Sequence, residues 1–157
     1  MSEGIGASVT RKEDKKFLTG KGRYTDDINR PGQTHAYFVR SDVAHANIKS
    51  IDTKAASSAD GVVAVYTGED VVADGIGGPI CGWVVPCRDG SPTKEPPHPI
   101  LANGKVRYVG DHVAVVIAET LAQAKSAAEL VEVEYEELPA VVDLESASSS
   151  AEIHKEV

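Results

Sequence analysis

The segment HVAVVIAETLAQAKSAAELVEVEYEELP, residues 112–139, carries the clearest structural pattern of the chain. Its first eight residues, 112–119, are nearly all apolar, which is typical of a buried central strand. Thr120 and Gln123 form a capping-box pattern that predicts a helix over about residues 120–130. The helix has one apolar face, formed by Leu121, Ala124, Ala127, Ala128 and Val131. A strand, a helix and a strand in succession predict a right-handed βαβ unit.

The end of this segment is rich in carboxylates, which raises the question of acid–base chemistry. Apolar and acidic residues alternate there: Val131, Glu132, Val133, Glu134, Tyr135, Glu136 and Glu137. Alternation puts the carboxylates on one side of a strand, away from the apolar face. A catalytic pair would need one carboxyl group in an apolar pocket, and nothing in the spacing supplies that pocket. The pattern therefore predicts a solvated surface strand.

Further strands are predicted upstream, from runs of aromatic and β-branched residues. They cover residues 34–41, 46–53, 62–67 and 106–110. The run VVAVYT (62–67) is continuously apolar and predicts a strand buried on both faces. Short helices are predicted near residues 54–59 and 68–74. Together these elements predict an α/β fold, with a small mixed sheet, one main helix and one or two short helices.

Residues 75–105 form a segment rich in proline and glycine, with six of the eight prolines and six of the fourteen glycines. Regular structure does not persist through such a sequence, so we expect a long loop. Trp83, the largest apolar side chain of the chain, lies within it. We expect Trp83 to fold back onto the core, and the alternative is an anchor at an interface.

The two ends of the chain differ in composition from its middle. Residues 1–33 are polar and contain glycine-based turns, which predicts an extended N-terminal arm. Residues 34–146 form the predicted domain. Residues 147–157 lose hydrophobic content and predict a linker or a truncated end. We expect the chain to be part of something longer.

The charge and hydropathy of the sequence argue against nucleic-acid binding and against a membrane span. The formal net charge is −8, from 16 basic and 24 acidic residues, and no basic cluster offers a nucleic-acid surface. No apolar run is long enough for a membrane span. The first residues lack the hydrophobic stretch of a signal peptide, so we expect a cytoplasmic protein. Cys81 and Cys87 lack CxxC spacing, and free thiols are expected rather than a disulfide.

Candidate chemical motifs are weak. The five histidines are His35, His45, His98, His112 and His154. None forms a metal-binding pair at helical spacing, and a site assembled from His35, His45 and His112 is a disfavoured alternative. The glycines at 20–22 and 75–78 lack the strand and helix of a phosphate loop. The residues therefore predict no catalytic, cofactor-binding or metal-binding side chain.

Several blocks in order resemble one known family, across roughly residues 4–146. The chain is similar to the N-terminal α/β hammerhead domain of the molybdenum-cofactor-binding large subunit of the xanthine dehydrogenase/aldehyde oxidase family, which includes aerobic carbon monoxide dehydrogenase-like members. The similar blocks are GKGRYTDDINRPGQTHAYFVRSDVAHANIKSIDT, GVVAVYTGEDV and KVRYVGDHVAVVIAETLAQAKSAAELVEVEYEELPAVVD.

The resemblance implies a molybdenum hydroxylase with molybdopterin cofactor, iron–sulfur clusters and FAD in the full complex. The pterin-binding segments and the catalytic glutamate of the family belong to sequence beyond Val157, so the chain alone is expected to have no turnover and to bind none of these cofactors. The 75–105 loop corresponds to a region near the substrate funnel of relatives. Trp83, Pro86, Glu95 and His98 are available there, without a residue-by-residue match.

We therefore interpret the chain as a structural domain of the large subunit that shapes the substrate entrance and holds partner domains. Its partners would be the remaining domains of that subunit and the iron–sulfur and FAD subunits or domains. One alternative is a free-standing interaction or assembly module that binds the iron–sulfur or FAD subunits. Another is a small-molecule-binding domain that uses the 75–105 loop as a lid.

Overall fold

The computed structural model describes residues 4–6, 8–80, 82–83, 85–151 and 153–154. Contacts divide the chain into two units, residues 1–33 and 34–157. In the first unit a helix, α1 (Asp14–Leu18), is followed by a 3-10 turn at Thr25–Asp27. The ring of Phe17 stacks on that of Tyr24, with centroids 5.5 Å apart. Helix α1 lies in a region where the sequence predicts an extended arm.

The second unit contains three helices and six strands in its described residues. In chain order they are β1 (His35–Arg40), β2 (Ala46–Asp52), α2 (Lys54–Ser57), β3 (Val62–Thr67), α3 (Gly68–Ala73), β4 (Lys105–Val106), β5 (His112–Ala118), α4 (Leu121–Ala128) and β6 (Glu132–Glu137). A 3-10 turn follows at Ala147–Ser149. The α/β class with one main helix is confirmed. The predicted boundaries at residues 33 and 146 stay a prediction.

The strands form two sheets, with the orders β1-β5-β3 and β4-β2-β6. Every strand pair in the described residues is antiparallel. The expected single mixed sheet is therefore wrong in this detail, and so is the βαβ unit, because β5 and β6 lie in different sheets. The physical reason is that β1 and β3 occupy both edges of β5. Strand β6 finds no free edge there and pairs with β2 instead.

Strand β5 is central, as predicted, and it contributes to two cores. Val116 points to one side and packs with Ala127 and Ala128 of α4. Val113 points to the other side and packs against the second sheet, with Ala46 and Val106. Both valines are fully buried. One strand thus joins the helix-covered core to the core between the sheets.

Helix α4 begins where the capping pattern predicts. The Thr120 hydroxyl oxygen accepts a hydrogen bond from the backbone N–H of Gln123 at 3.2 Å. Three small residues, Ala124, Ala127 and Ala128, are buried against the sheet. No helix in the described ranges is long and apolar enough to cross a membrane, and even α4 has only eight residues.

Two strand predictions are corrected. Strand β3 is not buried on both faces, since Val63 is 60% exposed. Val63 lies at an irregularity of this outer strand, where the register with β5 shifts between Val62 and Ala64. The predicted strand at 106–110 shrinks to Lys105–Val106, because the backbone turns afterwards. The Asp111 carboxylate accepts from the Arg107 N–H at 3.1 Å and the Gly110 N–H donates to the Ser41 carbonyl at 2.7 Å, which stabilises the turn.

Strand β6 confirms the prediction of a solvated surface strand. It is an outer strand of the second sheet, and its glutamates are exposed. Glu136 accepts from the Asn47 amide at 2.9 Å and pairs with the Lys49 ammonium at 3.1 Å. These contacts lower the pKa of Glu136, the Asn47 hydrogen bond first. The carboxylates of β6 therefore lie on the surface.

Helix α3 has a capping box of its own. The Asp70 carboxylate accepts from the Thr67 N–H at 2.7 Å and from the Thr67 hydroxyl at 2.8 Å. These two bonds lower the pKa of Asp70, the backbone bond contributing most. The ionised carboxylate therefore stabilises the first turn of the helix.

We expect Val113→Ala to lower the free energy of unfolding by about 1–3 kcal/mol, because it removes two methyl groups from a filled core. Val63→Ala is the matched control. It removes the same atoms from an exposed strand position, so its effect should stay within about 0.5 kcal/mol. Urea denaturation of the 157-residue chain measures both. Equal losses would contradict the assignment of Val113 to a core.

We expect Asp70→Ala to cost about 1 kcal/mol at neutral pH, the net value of a typical hydrogen bond. Because the folded pKa of Asp70 is lowered, its contribution is complete above the ordinary value of 3.8 and is lost as the pH falls through the folded value. The difference between the two proteins should thus shrink in acid. Asp74→Ala, at the opposite end of α3, is the control. A pH-independent difference in urea denaturation would contradict this role.

Candidate functional site

The segment between α3 and β4 contains the candidate site, and its start is set by the end of α3. Gly75 has a φ of 67°, a left-handed conformation that glycine adopts without steric cost. The N–H of Ile76 donates to the carbonyl of Val71 at 3.1 Å, and that of Gly75 donates to Val72 at 3.0 Å. This ends the helix and directs the chain away from it.

The middle of the segment is a turn held by its own hydrogen bonds. The Cys87 N–H donates to the Ser91 carbonyl at 2.7 Å, and the Thr93 hydroxyl donates to the Val85 carbonyl. The Asp89 carboxylate accepts from the Ser91 hydroxyl at 2.6 Å, which lowers the pKa of Asp89. Residues 85–93 are therefore ordered locally, without support from a buried core.

The two arms of the segment lie against each other at Gly78. A Cβ atom at this position would lie 2.0 Å from the His98 carbonyl oxygen, so no side chain fits without movement. At the neighbouring Gly77 a Cβ atom would meet open space. The close contact between Gly78 and His98 fixes how the outgoing and returning arms pair.

The segment and α3 enclose a groove of about 690 Å³, named here the proline groove. Its lining residues are Val71, Val72, Ile76, Gly78, Pro79, Ile80, Thr93, Lys94, Glu95, Pro96, Pro97, His98, Pro99 and Leu101. Most of these side chains are aliphatic or proline. Lys94, Glu95 and His98 add an ammonium, a carboxylate and an imidazole on the segment side. This is an apolar trough with few polar groups, the usual composition of a ligand-accepting surface.

The segment residues singled out in the sequence divide into two groups. Glu95 and His98 line the proline groove, whereas Trp83 and Pro86 are not among its lining residues. Trp83 is 80% exposed, so the expectation that it folds back onto the core is wrong. The residues that follow it, 85–93, are held by hydrogen bonds to one another. Cys87 is a free thiol, and Cys81 lies outside the described residues.

Two of the histidines, His45 and His112, make contacts with other residues of the fold. The ring of His112 stacks on Phe38 with centroids 4.5 Å apart, and burial, followed by the nearby Arg40, lowers the His112 pKa. The His45 Nδ1 lies 2.8 Å from the Pro139 carbonyl oxygen. Within the described ranges, no three His, Cys, Asp or Glu side chains come together as a possible metal site.

One wall of the proline groove is not predicted from the sequence. Val71 and Val72 of α3 face the returning arm of the segment. Their sequence context, GEDVVAD, indicates only a short helix, and no local signal says which surface that helix meets. The two carbonyl contacts that position the arms, at Gly78 and Gly68, are likewise visible only in three dimensions, since both glycines approach distant backbone.

Residues 19–139 match the family described as aldehyde oxidase and xanthine dehydrogenase, a/b hammerhead domain. The large subunit of nicotine 6-hydroxylase from Paenarthrobacter nicotinovorans is 43% identical over 139 residues, which are 88% of this chain and 16% of that protein. The chain thus spans about a sixth of the length of this curated relative.

Two solved structures are also similar to this chain over most of its length. Quinoline 2-oxidoreductase from Pseudomonas putida 86 superposes with a TM-score of 0.79 at 42% identity, over 98% of this chain and 19% of that one. A Cu,Mo-CO dehydrogenase superposes with a TM-score of 0.73 at 40% identity, over 92% and 17% of the two chains. The two sheets and the main helix are those of the matched domain, and the chain belongs to the aldehyde oxidase and xanthine dehydrogenase family as an α/β hammerhead domain.

Proposed function

We propose that the chain is a structural domain of a molybdenum hydroxylase large subunit, where it shapes the substrate entrance and holds partner domains. The observation that carries this proposal is the match of residues 19–139 to the hammerhead domain, in a chain that spans 16% of a related large subunit. A small domain within a much longer protein is expected to have a structural role rather than an independent activity.

In the complete enzyme the molybdenum centre would supply oxygen transfer from water to a substrate C–H bond. Two electrons and two protons leave per hydroxylation, and the electrons pass to iron–sulfur clusters and FAD. Carbon monoxide dehydrogenase-like members oxidise CO instead. The relatives named above act on nicotine, quinoline and CO, as their names state.

Within the described residues, no three His, Cys, Asp or Glu side chains come together as a metal site built from protein ligands alone. The glutamates of β6 lie on a surface strand, and Glu95 and His98 line an open groove. We therefore assign no cofactor and no step of the reaction to this chain. The molybdopterin cofactor, iron–sulfur clusters and FAD would be held by the other domains or subunits, which are its proposed partners. Cytoplasmic location stays a prediction.

The proline groove supports a role at the substrate entrance. Its wall is stiff, because prolines restrict the backbone and residues 85–93 have their own hydrogen bonds. Lys94, Glu95 and His98 place a few polar groups on an apolar surface. Such a wall can select substrates by shape and polarity without taking part in the reaction.

A second candidate function is a small-molecule-binding domain, and the volume of the proline groove favours it. About 690 Å³ lies within the usual range of ligand sites. A third candidate, a free-standing assembly module for the iron–sulfur or FAD subunits, is favoured by the exposed Trp83. The size of the native protein distinguishes both from the first proposal.

We expect the native protein to be several times larger than 16.6 kDa and to contain molybdenum. The measurement is the intact mass and the metal content of the protein captured from its host with an antibody against this domain. A parallel capture with non-immune antibody is the control. A protein of 16.6 kDa without molybdenum would contradict the proposed function and favour the assembly module.

We expect Gly78→Ala to loosen the segment, because its Cβ atom would collide with the His98 carbonyl. Trypsin should then cut after Arg88 severalfold faster in the 157-residue chain. In the complete enzyme, KM should rise while kcat is unchanged, since uniform substrate binding is weakened. Gly77→Ala is the matched control, because it changes the unfolded chain equally and meets open space. Equal cleavage of the two variants would contradict the pairing of the arms.

A further inference from the structure

The sheet β1-β5-β3 is covered on only one face by α4. Val39, Val65 and Val116 pack under the helix, and their neighbours along each strand point to the opposite face. Phe38 and Tyr66 both pair with Val115 in the strand register, so these three side chains lie side by side across that opposite face. This row is apolar except for the hydroxyl group of Tyr66.

A second groove, named here the sheet groove, has this row as its floor. It measures about 350 Å³ and is lined by Phe38, Tyr66, Asp70, Val71, Asp74, Ile76, Ile100, Leu101 and Val115. The second sheet covers only one end of the face, at the buried Val113. At the other end Tyr66 is 42% exposed, and Ile76 and Ile100 are exposed as well. A contiguous exposed apolar surface with a polar edge is typical of an interaction site.

The rim of the sheet groove carries negative charge. Asp70 and Asp74, at the two ends of α3, are its only charged lining residues among those described. The hydrogen bonds from Thr67 lower the pKa of Asp70 and keep it ionised at neutral pH. The complementary occupant has apolar side chains for the floor and a lysine or arginine for the rim.

The source of this occupant follows from the size of the relatives. The chain covers 19% of quinoline 2-oxidoreductase and 17% of the Cu,Mo-CO dehydrogenase chain, so in those proteins the matched domain is joined to about four to five times as much polypeptide. A segment on the same polypeptide is present at high effective concentration next to the groove. It therefore outcompetes a separate protein of equal intrinsic affinity for the groove.

We propose that the sheet groove docks a segment of the rest of the large subunit, with apolar side chains over Phe38, Tyr66 and Val115 and a basic side chain at Asp70 and Asp74. The inference rests on the proposed function, because it requires that larger subunit. The inference adds to the proposed function a specific surface through which the large subunit holds the domain.

Hydroxyl-radical footprinting of the native large subunit tests the proposal, with the 157-residue chain as reference. Tyr66 is 42% exposed in the chain and should become buried, so its oxidation should slow by about fivefold or more. Tyr37 is the internal control. It is 39% exposed, lies on the α4 face of the same sheet, and has the Lys125 ammonium 5.8 Å above its ring. Its oxidation should change much less.

A pair of charge reversals tests the basic side chain. Asp74 and Glu129 are the C-terminal capping residues of α3 and α4, so Asp74→Lys and Glu129→Lys change charge equally at equivalent helix positions. Asp74→Lys should raise the residual oxidation of Tyr66 in the large subunit by about two- to fivefold, the usual effect of one exposed charge pair. Glu129→Lys should leave it unchanged. Equal effects would overturn the basic occupant.

The outcomes separate the two proposals. A native mass of 16.6 kDa overturns both the proposed function and the docking. A larger molybdenum protein in which Tyr66 reacts as fast as in the 157-residue chain, or is protected no more than Tyr37, overturns the docking alone. Protection of Tyr66 that develops in the 157-residue chain as its concentration rises assigns the groove to a second copy and also overturns the docking.

Discussion

Strand β5 has no free edge, and each of its faces contributes a side chain to a core; this constraint organises the second unit. Its edges are paired with β1 and β3, and its alternating side chains supply Val113 to one core and Val116 to the other. Because both edges are used, the chain that leaves α4 must build a second sheet with β2. Because both faces are used, α4 and the second sheet must lie on opposite sides of it. The remaining surface of the same sheet, around Val115, then becomes the floor of the sheet groove.

The parts of this fold that the sequence predicts are those encoded by neighbours along the chain. The apolar run of β5, the Thr120 cap of α4 and the alternating glutamates of β6 each carry a local signal. Pairing between distant strands carries none. The apolar run of β3 reads as doubly buried, yet β3 is an outer strand with an exposed Val63. The single sheet and the βαβ unit fail for the same reason, since no local pattern states that β1 and β3 fill both edges of β5.

The candidate site shows the same division. Proline and glycine content locates the segment, and Glu95 and His98 line its groove. The exposure of Trp83 is not encoded in this composition, and neither is the hydrogen bond that the Thr93 hydroxyl donates to the Val85 carbonyl eight residues away. The wall that α3 forms in the proline groove depends on packing between α3 and the returning arm of the segment, which are separated in sequence. The sequence thus predicts which side chains the segment carries. It does not predict the surface on which the fold places them.

The stretch from Gly68 to Ala102, which contains α3 and the segment after it, leaves and re-enters the unit at two places that lie close together, and this has an evolutionary consequence. Gly68, where α3 begins, lies against the Ala102 carbonyl, and the Ala102 N–H donates to the His112 carbonyl at 2.6 Å. With its ends pinned in this way, the segment can lengthen or shorten without moving β5, and each doubling of its length costs only about 0.6 kcal/mol of closure entropy. Insertions and deletions there are nearly neutral for folding. Such a segment can change its length in a lineage while the framework beneath it is inherited unchanged.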